Sequence, residues 1–126
     1  MPLDSTLVLE GGENLKDCLF CRIAAGEIAS NKVYEDERVI AIHDINPVAP
    51  IHVLIMPKEH VDSLGEVNEG HTELMGYIQV IAARLAKELG LQGFRLVNNC
   101  GATAGQSVFH IHYHLLGGRD FRWPPG

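Results

Sequence analysis

A chain of 126 residues with a formal net charge of −6 has the length of one domain and no excess of cationic side chains. This charge argues against binding to nucleic acid polymers, whose affinity depends largely on lysine and arginine side chains that neutralise phosphates. No apolar run reaches the ~18 residues of a membrane helix, and the N-terminus lacks the basic and long apolar regions of a secretory signal. Three cysteines are an odd number for a disulfide framework, so we expect a soluble protein of the cytoplasm.

The N-terminal part of the chain predicts an arm and then a helix. Residues 1–16 combine acids, glycines and one short apolar stretch, which predicts a loose arm before a single domain over residues 17–126. Apolar residues at intervals of three and four between Asp17 and Ile28 predict a short helix that ends at Gly26.

A hairpin and a central strand are predicted next. Val33 and Tyr34 form one strand and Val39–Ile42 the other, joined by the charged turn EDER. Prolines after Asp44 predict a loop, because proline donates no backbone hydrogen bond. The segment His52–Pro57 is rich in branched apolar residues and too short for a helix, so it predicts a central strand.

The second half of the chain predicts one long helix and two further strands. Apolar residues between Asn68 and Gly90 fall on one helical stripe, with Asn68 as the cap and Gly90 as the terminator. Phe94–Asn99 and the last strand, Gln106–Leu116, flank a glycine-rich loop. We therefore predict an α+β fold in which a five-stranded antiparallel sheet carries one long and one short helix on one side.

Three histidines alternate along the last predicted strand. Because successive side chains of a strand point to opposite faces, His110, His112 and His114 are expected to share one face. A lone histidine is most often a hydrogen-bonded surface residue, but three in alternation favour a chemical site. The opposite face is predicted to be apolar, with Phe109, Ile111, Tyr113 and Leu115.

Two chemistries fit these histidines. Three imidazoles can hold a catalytic zinc ion with an open position, or one imidazole can attack phosphorus while its neighbours donate hydrogen bonds. The preceding segment Ala104–Ser107 offers a glycine, free amide N–H groups, a hydroxyl and a carboxamide, which suits phosphate. Taken alone, the same segment would be a plain turn.

The segment GQSVFHIHYHLLGGR and the C-terminal WPPG resemble the histidine triad (HIT) family, whose signature is His-x-His-x-His followed by apolar residues. More narrowly they resemble its Hint branch, the histidine triad nucleotide-binding proteins. FCRIAAGEI, HDI, APIH and PKEH follow in family order, so the resemblance covers nearly all of Asp17–Gly126. It implies a homodimer whose subunits pair through the long helix and a strand into one continuous sheet, with each C-terminus reaching toward the partner's site.

The resemblance implies a hydrolase that cleaves the P–N bond of purine nucleoside phosphoramidates. By motif position, His112 would be the nucleophile and would form a nucleotidyl-histidine intermediate, while the carbonyl of His110 would hold its other nitrogen. His52 and Ser107 match positions that serve the leaving group, and His114 matches one that binds a phosphate oxygen. Neutral imidazole is a good nucleophile near pH 7, so the physical chemistry agrees.

The resemblance also implies a pocket for a purine nucleotide. Asp44 would accept hydrogen bonds from two ribose hydroxyls, although an Asx turn before Asn46 is an alternative interpretation of the same residue. The residues implied to contact the nucleotide are His43, Asp44, Ile45, Asn99, Gly105, Gln106, Ser107, Val108, His112 and His114.

The two cysteines of the motif CLFC could simply be small core residues on a helix. A thioredoxin-like redox pair is the usual alternative, but the local sequence does not favour it. Some prokaryotic members of the resembled family bind structural zinc through this pair, the histidine of Pro-Lys-x-His and the first triad histidine. The matching residues are Cys18, Cys21, His60 and His110. Four protein ligands leave no open position for water, so the resemblance implies a structural zinc ion and no catalytic cofactor.

Two other functions remain open at this point. The sister branch of the family, which hydrolyses dinucleoside polyphosphates, uses the same triad. A nucleotide-binding or scaffolding protein with incidental hydrolysis is the alternative from a different class.

Overall fold

The computed structural model describes residues 17–126, and the predicted arm over residues 1–16 lies outside the described residues. No helix in residues 17–126 combines the length and the apolar character that crossing a membrane requires. The elements of this range are the helices α1 (Leu19–Ala24) and α2 (Thr72–Glu88) and the strands β1 (Lys32–Glu35), β2 (Val39–His43), β3 (Ile51–Pro57), β4 (Phe94–Val97) and β5 (Tyr113–Gly117).

The five strands form one antiparallel sheet in the order β1-β2-β3-β5-β4, as predicted. The central strands place the site residues in register: His43 lies opposite Val53, and His114 lies opposite Leu54. Directly opposed residues of an antiparallel pair project to the same face. His114 on β5 and Leu54 on β3 therefore share one face of the sheet.

The helices lie on opposite faces of the sheet, and the prediction that both lie on one side is wrong. Leu85 of α2 belongs to the same buried cluster as Val53 and Leu115. Phe20 of α1 belongs to a second cluster with Leu54. The reason is that strand β2 is buried over Val39–Ile42 without alternation, so both of its faces need cover.

The last strand is shorter than predicted, because β5 begins at Tyr113 and not at Gln106. Backbone groups just before it have partners outside the sheet: the N–H of Ile111 donates to the carbonyl of Val61 at 2.6 Å, and the carbonyl of His112 accepts from the Asn98 side chain. Of the three histidines, only His114 therefore lies within a strand, while His110 and His112 precede it.

The glycines predicted to end the helices agree with the structure, but α2 begins at Thr72, later than its predicted cap at Asn68 implies. The Asn68 side chain accepts the N–H of Gly70 at 2.8 Å and caps a 3-10 turn, Glu69–His71, that leads into α2. Gly90 follows the helix with φ +76°, and Gly26 follows α1 with φ +80°. Glycine adopts this left-handed conformation without the steric cost that other residues meet.

Asp36 fixes the β1–β2 hairpin onto α2. One carboxylate oxygen accepts the N–H groups of Arg38 and Val39, each at 2.8 Å. The other accepts the hydroxyls of Tyr34, at 2.6 Å, and Tyr77 on α2. Burial alone would raise the pKa of Asp36, but the hydroxyl and backbone donors lower it far below its usual value.

We expect Asp36→Ala to lower the free energy of unfolding by about 2 kcal/mol at pH 7, because four donors lose their charged acceptor. A carboxylate with a lowered pKa contributes stability above its unfolded value of about 3.9 and loses it as the pH falls. The difference between the wild-type protein and the variant should therefore shrink below about pH 4. Urea unfolding at several pH values measures this, and a difference that stays constant down to pH 3 would contradict the assignment.

Candidate active site and metal centre

The face of the sheet that carries α1 holds two side-chain clusters next to each other. The first, which we call the thiol cluster, consists of Cys18, Cys21, His60 and His110, whose ligand atoms all lie within 4.8 Å of one another. The second, which we call the imidazole cluster, consists of Asp44, His52, His112 and His114.

The geometry of the thiol cluster suits a tetrahedral metal ion. The Cys21 Sγ atom lies 3.1 Å from His60 Nδ1 and 3.5 Å from His110 Nδ1, and the Cys18 Sγ atom lies 3.4 Å from His110 Nδ1. Helix α1 holds the cysteines in place, because the Cys18 side chain caps it by accepting the Cys21 N–H at 3.3 Å. Two thiols and two imidazoles are a preferred donor set for zinc.

The second nitrogen of each histidine in the thiol cluster supports the same interpretation. His60 Nε2 donates to Asp62 Oδ1 at 2.7 Å, and His110 Nε2 donates to the Pro57 carbonyl at 2.7 Å. These bonds place the proton on Nε2 and leave the Nδ1 lone pairs facing the sulfur atoms. A carboxylate or carbonyl on the far nitrogen is the usual arrangement around a metal-bound histidine. Burial lowers the pKa of His110 to about 4, so its ring is neutral at pH 7.

His112 connects the two clusters through the backbone of His110. Its Nδ1–H donates to the His110 carbonyl at 2.7 Å, so the lone pair of the neutral ring lies on Nε2. The ring of Phe20 meets that of His112 edge to face, with centroids 5.0 Å apart. Burial lowers the pKa of His112, which keeps the ring neutral near pH 7.

His52 and His114 form a hydrogen-bonded pair beside His112. The Val48 N–H donates to His52 Nδ1 at 3.1 Å, so the ring proton of neutral His52 lies on Nε2. That nitrogen lies 2.9 Å from His114 Nδ1 and 3.3 Å from Asp44 Oδ2. Burial lowers the pKa of His52 and lowers that of His114 to about 4, while the Asp44 carboxylate opposes both shifts.

The structure does not favour the catalytic zinc interpretation of the triad. The ring of His110 faces the thiols, so the three triad rings do not converge on one point. Asp44, His52 and His114 also lie within metal-binding distance of one another. However, the Val48 N–H keeps the proton on the nitrogen of His52 that a metal would need, so we assign this set to proton chemistry.

The loop before the triad is held by Gln106, whose side chain is buried. Its Oε1 accepts the Gly101 N–H at 2.8 Å, and its Nε2 donates to the carbonyls of Asp62 at 2.8 Å and Val108 at 3.1 Å. These bonds use both ends of the amide, so Gln106 shapes the loop from within. Gly105 has φ +100°, which a residue with a side chain would adopt only with strain.

The other predicted contact residues lie at the end of β2 and on the loops that lead into β3 and β5. Ile45 is 91% exposed and Val48 is 60% exposed, so two apolar side chains stand in solvent beside Asp44. An exposed apolar pair next to a polar cluster is typical of a binding surface. The remaining residues are His43 and Val108, which are half-buried, Asn99, which lies next to Gly105, and Ser107, which is exposed.

A cavity of about 410 Å³ lies between these loops and the C-terminus. Its lining includes Val48, Asn99, Pro125 and Gly126. The C-terminal segment is held by Phe121, whose ring lies 4.3 Å from the guanidinium of Arg119 and 5.2 Å from that of Arg95.

Four residues that contact the two clusters were not predicted from the sequence as part of a site. The positions of Phe20 and Asp62 in the sequence could have indicated their roles. Phe20 lies between Cys18 and Cys21, and Asp62 lies two residues after His60. Val48 acts through its backbone N–H, which no side-chain pattern reveals. Asn98, which donates to the His112 carbonyl at 2.9 Å, was assigned to a strand.

Residues 25–121 match the profile of the HIT domain, and the chain belongs to the HIT family. It is 50% identical over 111 residues to a 14 kDa zinc-binding protein of Zea mays, covering 86% of this chain and 87% of that protein. A HIT family hydrolase from Legionella pneumophila has a similar structure, with a TM-score of 0.86 and 49% identity over 87% of this chain and all of that one. A zinc-bound histidine triad family protein from Mycobacterium smegmatis has a TM-score of 0.72 at 34% identity, covering 83% of this chain and 77% of that one. The chain therefore has the fold of the HIT family.

We expect Gln106→Ala to lower the free energy of unfolding by about 2 kcal/mol, because two carbonyls and one N–H lose a buried side-chain partner. Urea unfolding measures the change. Thr103→Ala, on the exposed part of the same loop, is the control and should unfold like the wild-type protein. Equal midpoints for all three proteins would show that Gln106 does not hold the loop.

Proposed function

We propose that this protein hydrolyses purine nucleoside phosphoramidates through a covalent nucleotidyl intermediate on His112. The observation that carries the proposal is the hydrogen bond from His112 Nδ1–H to the His110 carbonyl. It leaves the lone pair of a buried, neutral imidazole on Nε2, which is the form of histidine that attacks phosphorus.

The reaction would proceed in two displacements at phosphorus. His112 Nε2 forms a bond to phosphorus, the P–N bond breaks, and the amine leaves with a proton from a donor in the site. A water molecule then attacks phosphorus and returns one proton to that donor, the histidine–phosphorus bond breaks, and AMP or its purine analogue is released. His114 and Ser107 are the proposed donors to the phosphoryl oxygen and the leaving group, and a leaving amine needs such a donor.

The nucleotide would lie across the exposed surface beside the imidazole cluster. Ile45 and Val48 offer apolar surface for the base, and Asp44 is the proposed acceptor for the ribose hydroxyls. The loop of Asn99, Gly105 and Gln106 borders the phosphate side, where Gly105 permits close backbone approach. His43 and Val108 complete the pocket in this proposal.

We also propose that the thiol cluster binds one structural zinc ion. The donor set, the distances and the far-side partners of both histidines support it. Relatives described as zinc-binding or zinc-bound agree. The ion would join α1 to the loop that carries His60 and to His110, and thiol ligands suit the cytoplasm as the compartment.

A homodimer is the proposed assembly. Strand β4 is an edge of the sheet and carries Phe94, which is 43% exposed, and α2 carries Val80, which is 61% exposed. An unpaired edge strand beside exposed apolar residues supports pairing with a second copy.

We expect His112→Ala to reduce the turnover of AMP phosphoramidate by about a thousandfold or more, because the nucleophile is lost. Binding of AMP should persist. Quenched-flow mass spectrometry of the wild-type protein should detect the chain with one added nucleotidyl group, on the peptide that contains His112. His71→Gln, outside the site, is the control and should keep wild-type turnover.

Two results would count against this function. Turnover without any nucleotidyl-protein intermediate would remove the covalent mechanism. No turnover by the wild-type protein, with AMP still bound, would leave a nucleotide-binding role alone. A parallel assay with diadenosine polyphosphates tests the alternative substrate class.

For the metal site, we expect about one zinc ion per chain in the wild-type protein and almost none in Cys21→Ser. Elemental analysis of protein purified without chelator measures both. Cys100→Ser removes an exposed cysteine outside the cluster and should keep its zinc. Zinc in Cys21→Ser at the wild-type level would contradict the assignment.

A further inference from the structure

We infer that Asp44 has a second task besides ribose binding: it is a positioning residue that orients and supports the His52–His114 pair on the donor side of the reaction. This inference rests on the proposed function and adds to it a link between sugar recognition and proton donation.

Hydrogen bonds fix the position of the ring proton in both His52 and His114. Because the Val48 N–H occupies His52 Nδ1, the only ring proton of neutral His52 lies on Nε2. Nε2–H lies 2.9 Å from His114 Nδ1, which therefore accepts. The proton of neutral His114 then lies on its own Nε2, as a donor.

His52 has no ring nitrogen left for contact with a substrate. Both of its ring nitrogens are engaged by the protein, one by Val48 and the other by His114 and Asp44. His52 is also 6% exposed, whereas His114 is half-buried. His52 therefore acts on the reaction through His114 and not by direct contact with the substrate.

The Asp44 carboxylate contacts both the backbone and the His52 ring. Asp44 Oδ1 accepts the N–H of Asn46 at 2.7 Å, which fixes the side chain in an Asx turn, and Oδ2 lies 3.3 Å from His52 Nε2. A carboxylate has about four lone-pair sites, so each oxygen keeps capacity for a ribose hydroxyl. The Asx turn and the proposed ribose site are thus compatible uses of one residue.

The charge of Asp44 matters because the pair is buried. Burial disfavours the protonated form of His52 and of His114, and the Asp44 carboxylate acts in the opposite sense on both. A donor that must give up a proton and regain it in each cycle needs such compensation. Asp44 supplies it from the same carboxylate that is proposed to contact the sugar.

The experiment compares Asp44→Asn with the wild-type protein on two substrates, AMP phosphoramidate and its 2′,3′-dideoxy analogue. Asparagine keeps the acceptor for the Asn46 N–H but removes the charge. With the dideoxy substrate no ribose hydroxyl is present, so a residue that only binds ribose has no effect. We expect kcat on the dideoxy substrate to fall about tenfold or more in the variant, without a rise in KM.

Glu37→Gln, which neutralises an exposed carboxylate on the β1–β2 turn, is the matched control and should keep the wild-type kcat on both substrates. An unchanged kcat of Asp44→Asn on the dideoxy substrate, with a defect on AMP phosphoramidate, would overturn the inference and leave Asp44 as a ribose contact. Absence of turnover by the wild-type protein on both substrates would instead be a failure of the proposed function.

Nitrogen-15 NMR of the histidine side chains in the wild-type protein gives a second measurement that needs no variant. At pH 7 we expect the proton of both His52 and His114 on Nε2. A proton on Nδ1 of either residue would break the chain from Val48 to His114 and overturn the inference.

Discussion

His110 uses its ring and its backbone for different purposes, and the arrangement of both clusters depends on this division. The ring points Nδ1 at Cys18 and Cys21, while the carbonyl of the same residue receives the Nδ1–H of His112. A metal ion that fixes the ring would therefore fix the orientation of the His112 ring as well. Phe20 strengthens this link, because its ring packs against both His110 and His112. The thiol cluster is in this sense a support for the imidazole cluster.

The sheet makes this arrangement possible by separating the two helices. One face packs on α2 through side chains such as Val53 and Leu115, and the other packs on α1 through Leu54. The site shares the α1 face, so apolar packing from α2 stabilises the strands without occupying the space where the histidines lie. Strands β3 and β5 therefore hold His52 and His114 on one face of the sheet while the opposite face packs against α2.

Much of the fold follows from local patterns in the sequence, and the exceptions have identifiable causes. The long helix follows from an apolar stripe, and Gly90 ends it, whereas Asn68 caps the 3-10 turn that leads into it. The prediction that α1 lies on the same side of the sheet as α2 is wrong. The continuous apolar run Val39–Ile42 indicates that both faces of β2 are covered. The start of β5 could not be predicted, because the N–H of Ile111 pairs with the distant carbonyl of Val61.

For the candidate site too, the pattern of residues along the strand predicts less than the structure shows. Alternation along a strand correctly selected the histidines as a group on one face, but it does not divide the tasks among them. Their separate tasks come from backbone partners: the Pro57 carbonyl directs His110 to the thiols, the His110 carbonyl directs the lone pair of His112 outward, and the Val48 N–H makes His52 a donor to His114. An imidazole can present a donor or a lone pair at either nitrogen, and its identity alone does not decide which. The chemistry of the group is therefore set by the fold around the rings, through groups that every residue type possesses.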